Sequence, residues 1–333
     1  MRESLNRLLW PLLALGLLLV VNALFNRSFF YVALVDGRLV GAPIDVLLRG
    51  APIMLTALGM TLVIATGGID LSVGALMAVA GSVAAVLLVQ YQSSLGIAIL
   101  ASLTVCLLAG LWNGVLVTLV KVQPIVATLV LMVAGRGVAQ LLTDGQIISL
   151  SGQPGFAYLG NGLLLGIPVP IWIVVLTAIA LGALVRVTAL GLFIEAIGGN
   201  ETASRFAGLS VRAIRLFVYS VSGMLAGVAG LIYASNITAA DANNAGLYME
   251  LDAILAVVIG GTALTGGRFL LIGSLLGAVV IQTLTTTILM TQVGGASIPP
   301  EYNLIVKAIV VLAVCLLQSK ALRGMLLGKR GDA

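Results

Sequence analysis

The side chains of this sequence that could do chemistry are few, and their placement narrows what they could do. Asp70 stands in the run Gly67-Gly68-Ile69-Asp70-Leu71-Ser72-Val73-Gly74, between two apolar stretches. Arg136 lies inside another apolar stretch, between Gly135 and Gly137. Asp241, Asn243, Asn244, Glu250 and Asp252 gather carboxylates and amides ahead of a short apolar run. Ionisable groups among apolar residues are costly, so each is a candidate for function. Asp70 can accept backbone N–H groups where a helix opens at Leu71, or it can touch a substrate; capping is the preferred reading. Arg136 can snorkel, pair with a carbonyl or carboxylate, or line a pathway. The carboxylate and amide cluster suits a hydroxyl-rich ligand, a docking partner or plain solvation. The chain has no histidine, which removes His triads, His-ligated metals and His proton relays. Cys106 and Cys315 each sit in an apolar run and read as small buried hydrophobes, not as a metal or disulfide framework. No paired Asp motif or Ser/His pair suggests an intramembrane enzyme.

The elements that must position these residues follow from composition. Of 333 residues, 60% are hydrophobic and 9% charged, against roughly 25% charged in a soluble domain. About 20 apolar residues span a bilayer as a helix, so there is room for roughly ten spans. A secreted protein, a cytosolic enzyme and a disordered chain are excluded. The expected spans are 8–25, 51–66, 72–89, 95–120, 124–142, 166–187, 213–235, 252–263, 269–291 and 303–319. The first is read as an uncleaved helix in preference to a signal peptide, because its apolar run is long and many spans follow. The expected fold is an all-α membrane protein of about ten transmembrane helices, broken at Gly-rich motifs.

Charge sets the orientation. With the N-terminus in the cytoplasm, the inner loops and tails hold Arg2, Arg7, Lys121, Arg186, Arg205, Arg212, Arg215, Arg268, Lys320, Arg323, Lys329 and Arg330. The outer segments hold only Arg27, Arg38, Arg49 and Lys307. That excess predicts both termini inside. No basic block interleaved with aromatics suggests nucleic acid. The only long cytoplasmic loop covers about residues 188–212, where Gly-containing breaks surround a helix-compatible stretch, Phe193 to Ala207. Residues 1–333 are therefore expected to form one membrane domain.

Glycine is abundant, at 40 residues. Gly110 and Gly114, Gly223 and Gly227, and Gly273 and Gly277 stand four apart inside spans, where backbones can approach closely. Packing within one chain is preferred over a dimer seam. The pattern G-G-x-x-L-[ST]-x-G occurs twice, at 67–74 and at 260–267. Paired interruptions of this kind mark transporters built by duplication. The second copy ends Gly266-Gly267-Arg268, without the lysine of a phosphate-binding loop, so no ATP site is expected in this chain.

The runs ALGMTLVIATGGIDLSVGALMAVAG, FIEAIGGNETASRFAGLSV and ADANNAGLYMELDAILAVVIGGTALTGGRF, in this order, resemble bacterial ABC-importer permeases of the ribose, xylose, galactose and galactofuranose class. The likeness spans about residues 40–318, and DGRLVGAPIDVLLRGAP and ADANNAGL look most like the galactofuranose permeases. The resemblance implies a multi-pass protein of the bacterial inner membrane that works as one of two permease subunits. These are different chains in galactofuranose-type systems, with a homodimer left open. It also implies an ABC ATPase that carries ATP and Mg, and a periplasmic sugar-binding protein. The family's coupling helix maps onto Glu195, Ala196, Ile197, Gly198, Gly199 and Asn200, and onward through Ala203, Arg205, Ala207 and Gly208. Gly199 departs from the polar or bulkier residue of many relatives. Candidates for the substrate pathway or its gating are Gly67, Gly68, Asp70, Ser72, Arg136, Asn243, Asn244, Asp252, Gly260 and Gly261. Neither metal nor cofactor is expected in this chain. Alternatives are a permease of the same type for a nucleoside or branched-chain amino acid, and an ion-coupled carrier. The carrier would want carboxylates at span centres.

Overall fold

The computed structural model describes residues 2–35, 38–293, 296–297, 302, 304–309 and 312. Helices dominate: α1 (Arg2–Phe25), α2 (Ala42–Ala65), α3 (Val73–Ala85), α4 (Leu95–Thr118), α5 (Pro124–Leu142), α6 (Pro154–Asn161), α7 (Val169–Val187), α8 (Leu190–Gly199), α9 (Glu201–Phe206), α10 (Val211–Asn236), α11 (Met249–Ile259) and α12 (Leu271–Met290). The strands are short connectors, such as the hairpin of β1 (Val32–Val35) and β2 (Arg38–Gly41). Prolines open α5 and α6, where the missing N–H costs nothing.

Among the described residues, eight helical runs are long and apolar enough to cross a membrane, α3 counting together with the π-helical turn that extends it to Gln90. The expected count of ten is not reached among the described residues. The span expected at 252–263 is α11, 11 residues or about 16 Å, about half a hydrocarbon layer. Most of 303–319 lies outside the described residues, as do Lys320, Arg323, Lys329 and Arg330. The span expected at 51–66 begins nine residues earlier, at Ala42. Asp45 and Arg49 hid those first turns from a hydropathy reading, although an acid in a first turn favours a helix N-terminus.

α2 is the central helix, buried from Gly50 to Ala65. α4, α5 and α7 instead expose rows of Leu, Val and Ile, the faces a membrane helix offers to lipid or a partner helix. The small-residue pairs are contacts within the chain. Gly110 and Gly223 bring the α4 and α10 backbones together, and Gly273 and Gly277 do the same for α12 against Gly260, just past α11, and Ala256 within it. α2 runs antiparallel to α12, since Gly50 meets Gln282 while Thr61 donates to Ser274 Oγ at 2.7 Å. α11 is also antiparallel to α12. α2 and α11 are therefore parallel, and both Gly-rich breaks turn the chain in the same sense at the same end of the bundle.

Candidate functional site

The two breaks touch each other, and the loop at 188–212 touches both. The Gly267 N–H donates to the Ala65 carbonyl at 2.9 Å, satisfying an orphan acceptor at the end of α2. A Cβ on Gly266 would lie 2.9 Å from the Gly67 nitrogen and 3.1 Å from the Gly198 oxygen. A Cβ on Gly198 would overlap the Ala65 carbonyl oxygen and the Gly267 nitrogen. Gly67, Gly261, Gly266 and Gly267 have φ between +79° and +95°, the region that favours glycine. Gly68 leaves room for the Tyr219 hydroxyl, and Gly260 packs on the backbone of Gly273. Three segments far apart in sequence thus meet backbone to backbone, with no flexible side chain between them to absorb a displacement.

Asp70 is fully buried just beyond this junction. α3 begins at Val73, not at Leu71, and Asp70 holds the turn before it. Its Oδ1 accepts from the Ser72 N–H at 3.0 Å and the Ser72 hydroxyl at 2.6 Å, and its Oδ2 accepts from the Ser222 hydroxyl of α10 at 2.8 Å. Asn113 of α4 donates to Ser72 Oγ at 2.9 Å. The start of α3 is thereby tied to α4 and α10. Sequence reasoning missed Asn113, Ser222 and Tyr219. Polar residues that interrupt apolar helices were the available signal.

Arg136 clamps the segment before α11. Its Nη1 donates to the carbonyls of Ala242 at 3.0 Å and Ala245 at 2.6 Å, the carbonyl pairing weighed from sequence. Gln140, one turn along α5, donates to Asn243 Oδ1 at 2.8 Å, and Asn243 Nδ2 reaches the Gly145 carbonyl at 3.3 Å. Gly246 rests against Gly74 in the first turn of α3. Asp241 folds the segment on itself, accepting from the N–H groups of Asn243 and Asn244 at 3.0 Å and from Asn244 Nδ2 at 2.8 Å. Burial raises the Asp241 pKa, but these hydrogen bonds and nearby Arg136 outweigh it and hold the carboxyl below its ordinary value. Asp252 is not free: Lys307 donates to both of its oxygens, at 2.8 and 3.0 Å, with side chains only 17% and 10% exposed. Of the pathway candidates, the glycines thus gather at the α8 end, Asp70 and Ser72 form an internal tie, Asn243 and Asn244 belong to the segment that Arg136 clamps, and Asp252 lies in α11 against Lys307.

The loop at 188–212 forms two helices where one stretch was expected, because Gly198-Gly199-Asn200 ends α8 and the Asn200 side chain caps α9 by accepting from the Ala203 N–H at 2.9 Å. Gly208, φ +83°, turns the chain toward α10. Arg205 pairs with Glu201 at 2.6 Å, and Glu201 also pairs with Arg215 at 2.9 Å. Glu195 and Ala196 lie half-buried on α8. Phe206, at the end of α9, is 89% exposed and sequence reasoning missed it; its signal was an aromatic in a polar stretch. Among the described residues, no group of three or more acidic or Cys side chains could hold a metal.

A bundle of apolar helices with paired Gly breaks, both resting on one compact two-helix loop, is the build of a transporter's membrane subunit. Residues 42–315 match the family described as branched-chain amino acid transport system / permease component, and the chain belongs to that family. It is a multi-pass permease subunit of a transporter. The chain is 53% identical over 330 residues to the galactofuranose transporter permease protein YtfT of Escherichia coli K12, covering 98% of this chain and 95% of that one. It is 38% identical to the fructose import permease protein FruF of Bifidobacterium longum, covering 96% and 90%, and 36% identical to the ribose import permease protein RbsC of E. coli K12, covering 93% and 92%.

Proposed function

We propose that the whole chain acts as one permease domain in the bacterial inner membrane and imports a monosaccharide, galactofuranose first, by alternating access driven by a separate ABC ATPase. The sugar relatives, alike over nearly their full lengths, favour this substrate class over nucleosides or branched-chain amino acids. ATP and Mg reside on the ATPase. A periplasmic binding protein delivers the sugar, and a second, different permease completes the pathway.

The observation that carries this reading is the backbone junction of Gly198 with Ala65, Gly266 and Gly267. The ATPase engages α8 and α9 through Glu195, Ala196, Ala203, Arg205 and Phe206, on the cytoplasmic side. Its closure on ATP displaces α8, and Gly198 pushes on both breaks at once. α3 and α12, which leave those breaks in the same sense, then tilt together. Asp70 and Ser72 make α4 and α10 follow α3, while Arg136 keeps the 241–248 segment in register with α5. No covalent chemistry takes place on this chain.

The substrate is tested by labelled-sugar uptake in cells lacking the chain and in cells restored with it. Galactofuranose uptake is expected to depend on the chain, with ribose and fructose competing weakly. Galactofuranose uptake that is equal with and without the chain, alongside a chain-dependent amino acid uptake, contradicts the assignment.

A further inference from the structure

We propose that the chain holds a phosphate-bearing anion, the headgroup of an anionic membrane lipid, in a cavity where the α4–α5 turn meets α9 and α10. The cavity is about 460 Å³ and is lined by Lys121, Arg205, Arg212 and Arg215 against one carboxylate, Glu201. Glu201 is already engaged by Arg205 and Arg215. Among the described residues, Lys121 and Arg212 have no ion-pair partner.

Backbone adds to side-chain charge. α5 opens at Pro124 and α10 at Val211, both on the cavity wall, and neither Gln123 nor Ser210 caps its helix with a side chain. Pro124 has no N–H and the Val211 N–H goes to the Leu209 carbonyl, so what these helix starts add is the partial positive charge of a long helix's N-terminus, which favours a phosphate. Lys121 keeps φ at +64°, unusual for a residue with a side chain, in the turn between α4 and α5.

The rim points to the source. Leu119, Val120, Ile125 and Val126 flank the same turn and are all strongly exposed. In a membrane-spanning chain such residues meet acyl chains, which sets Lys121 and the cavity it lines at the hydrocarbon edge, at headgroup depth. Basic pockets between helices at that level attract anionic lipid. This site does not depend on which solute is transported.

The test is the melting midpoint of the purified full-length chain in neutral detergent, titrated with short-chain phosphatidylglycerol, with phosphatidylcholine of the same chains, or with inorganic phosphate. Phosphatidylglycerol is expected to raise the midpoint saturably and phosphatidylcholine to leave it unchanged. The Lys121→Gln/Arg212→Gln variant should need about 25-fold more phosphatidylglycerol, about fivefold per cation removed. Lys121→Arg/Arg212→Lys should respond as the natural chain does. If the double Gln variant does not fold, Arg212→Gln alone carries the comparison, with about a fivefold loss. A full response to inorganic phosphate, with no added effect of phosphatidylglycerol, supports the site and assigns it to a soluble phosphate. An equal response to phosphatidylcholine, or a phosphatidylglycerol response unchanged in the Gln variants, overturns the proposal.

Discussion

Gly198, at the end of α8, lies so close to Ala65, the last residue of α2, that a methyl group on the glycine would occupy the place of the Ala65 carbonyl oxygen. That carbonyl already accepts the Gly267 N–H from the second break. One α8 residue therefore bears on both interruptions of the membrane helices. Its neighbour Gly199 has open space where its Cβ would be.

The two glycines give a controlled comparison. Gly198→Ala must push α8 away from Ala65, an overpacking that costs about 1–3 kcal/mol. In reconstituted transporter it should break the link between ATP hydrolysis and uptake, while Gly199→Ala keeps it. Sugar carried per ATP, measured for both variants, decides the matter; equal ratios would sink the coupling role of Gly198.

The Asp70 tie should resist the change of one atom. Asp70→Asn replaces a carboxylate oxygen that accepts a hydroxyl with an amide that cannot accept. The loss is expected to be about 1–3 kcal/mol, with Ser222→Ala costing less because it removes one neutral donor. Thermal unfolding of the purified chain ranks them, and a Ser222→Ala loss exceeding that of Asp70→Asn contradicts the assigned geometry.

Lys307→Met leaves Asp252 largely buried without its cation, at a cost of about 3–5 kcal/mol. Pairing it with Asp252→Leu removes the stranded charge and should recover most of the stability. A double variant no better than the single one would show that the ion pair is not what holds these segments together.

Asp241 makes a pH prediction. Its folded carboxyl titrates below its ordinary value, so its contribution to stability is fully present above about pH 5 and is lost as pH falls through the folded pKa, below about 3.9. Asp241→Asn should be less stable than the natural chain at pH 7, and the gap should close under acid. Melting midpoints across pH read this directly, and a gap that widens on acidification reverses the sign and refutes it.

The spans were legible because apolar runs of about 20 residues have few other uses. The start of α2 was not, since Asp45 and Arg49 read as loop although they belong to a helix. The short α11 reads as a span because an apolar run shows composition and not helix length; the helix lies between the segment that Arg136 clamps and the break at Gly260. Gly67, Gly198 and the second break at 260–267 are each visible in the sequence, yet the meeting of Gly67 and Gly198 with Gly266 and Gly267 is not. It rests on contacts between residues about 70 to 200 positions apart. Asn113 and Ser222 went unnoticed because each is a single polar residue in an otherwise apolar helix.

The most direct test of the importer reading is uptake of labelled galactofuranose into proteoliposomes that hold this chain with its co-purified ATPase and permease partner, with binding protein outside. Uptake is expected only with ATP and Mg trapped inside, and it should survive an uncoupler. Uptake that proceeds without the ATPase and collapses with the uncoupler at constant ATP would instead identify an ion-coupled carrier.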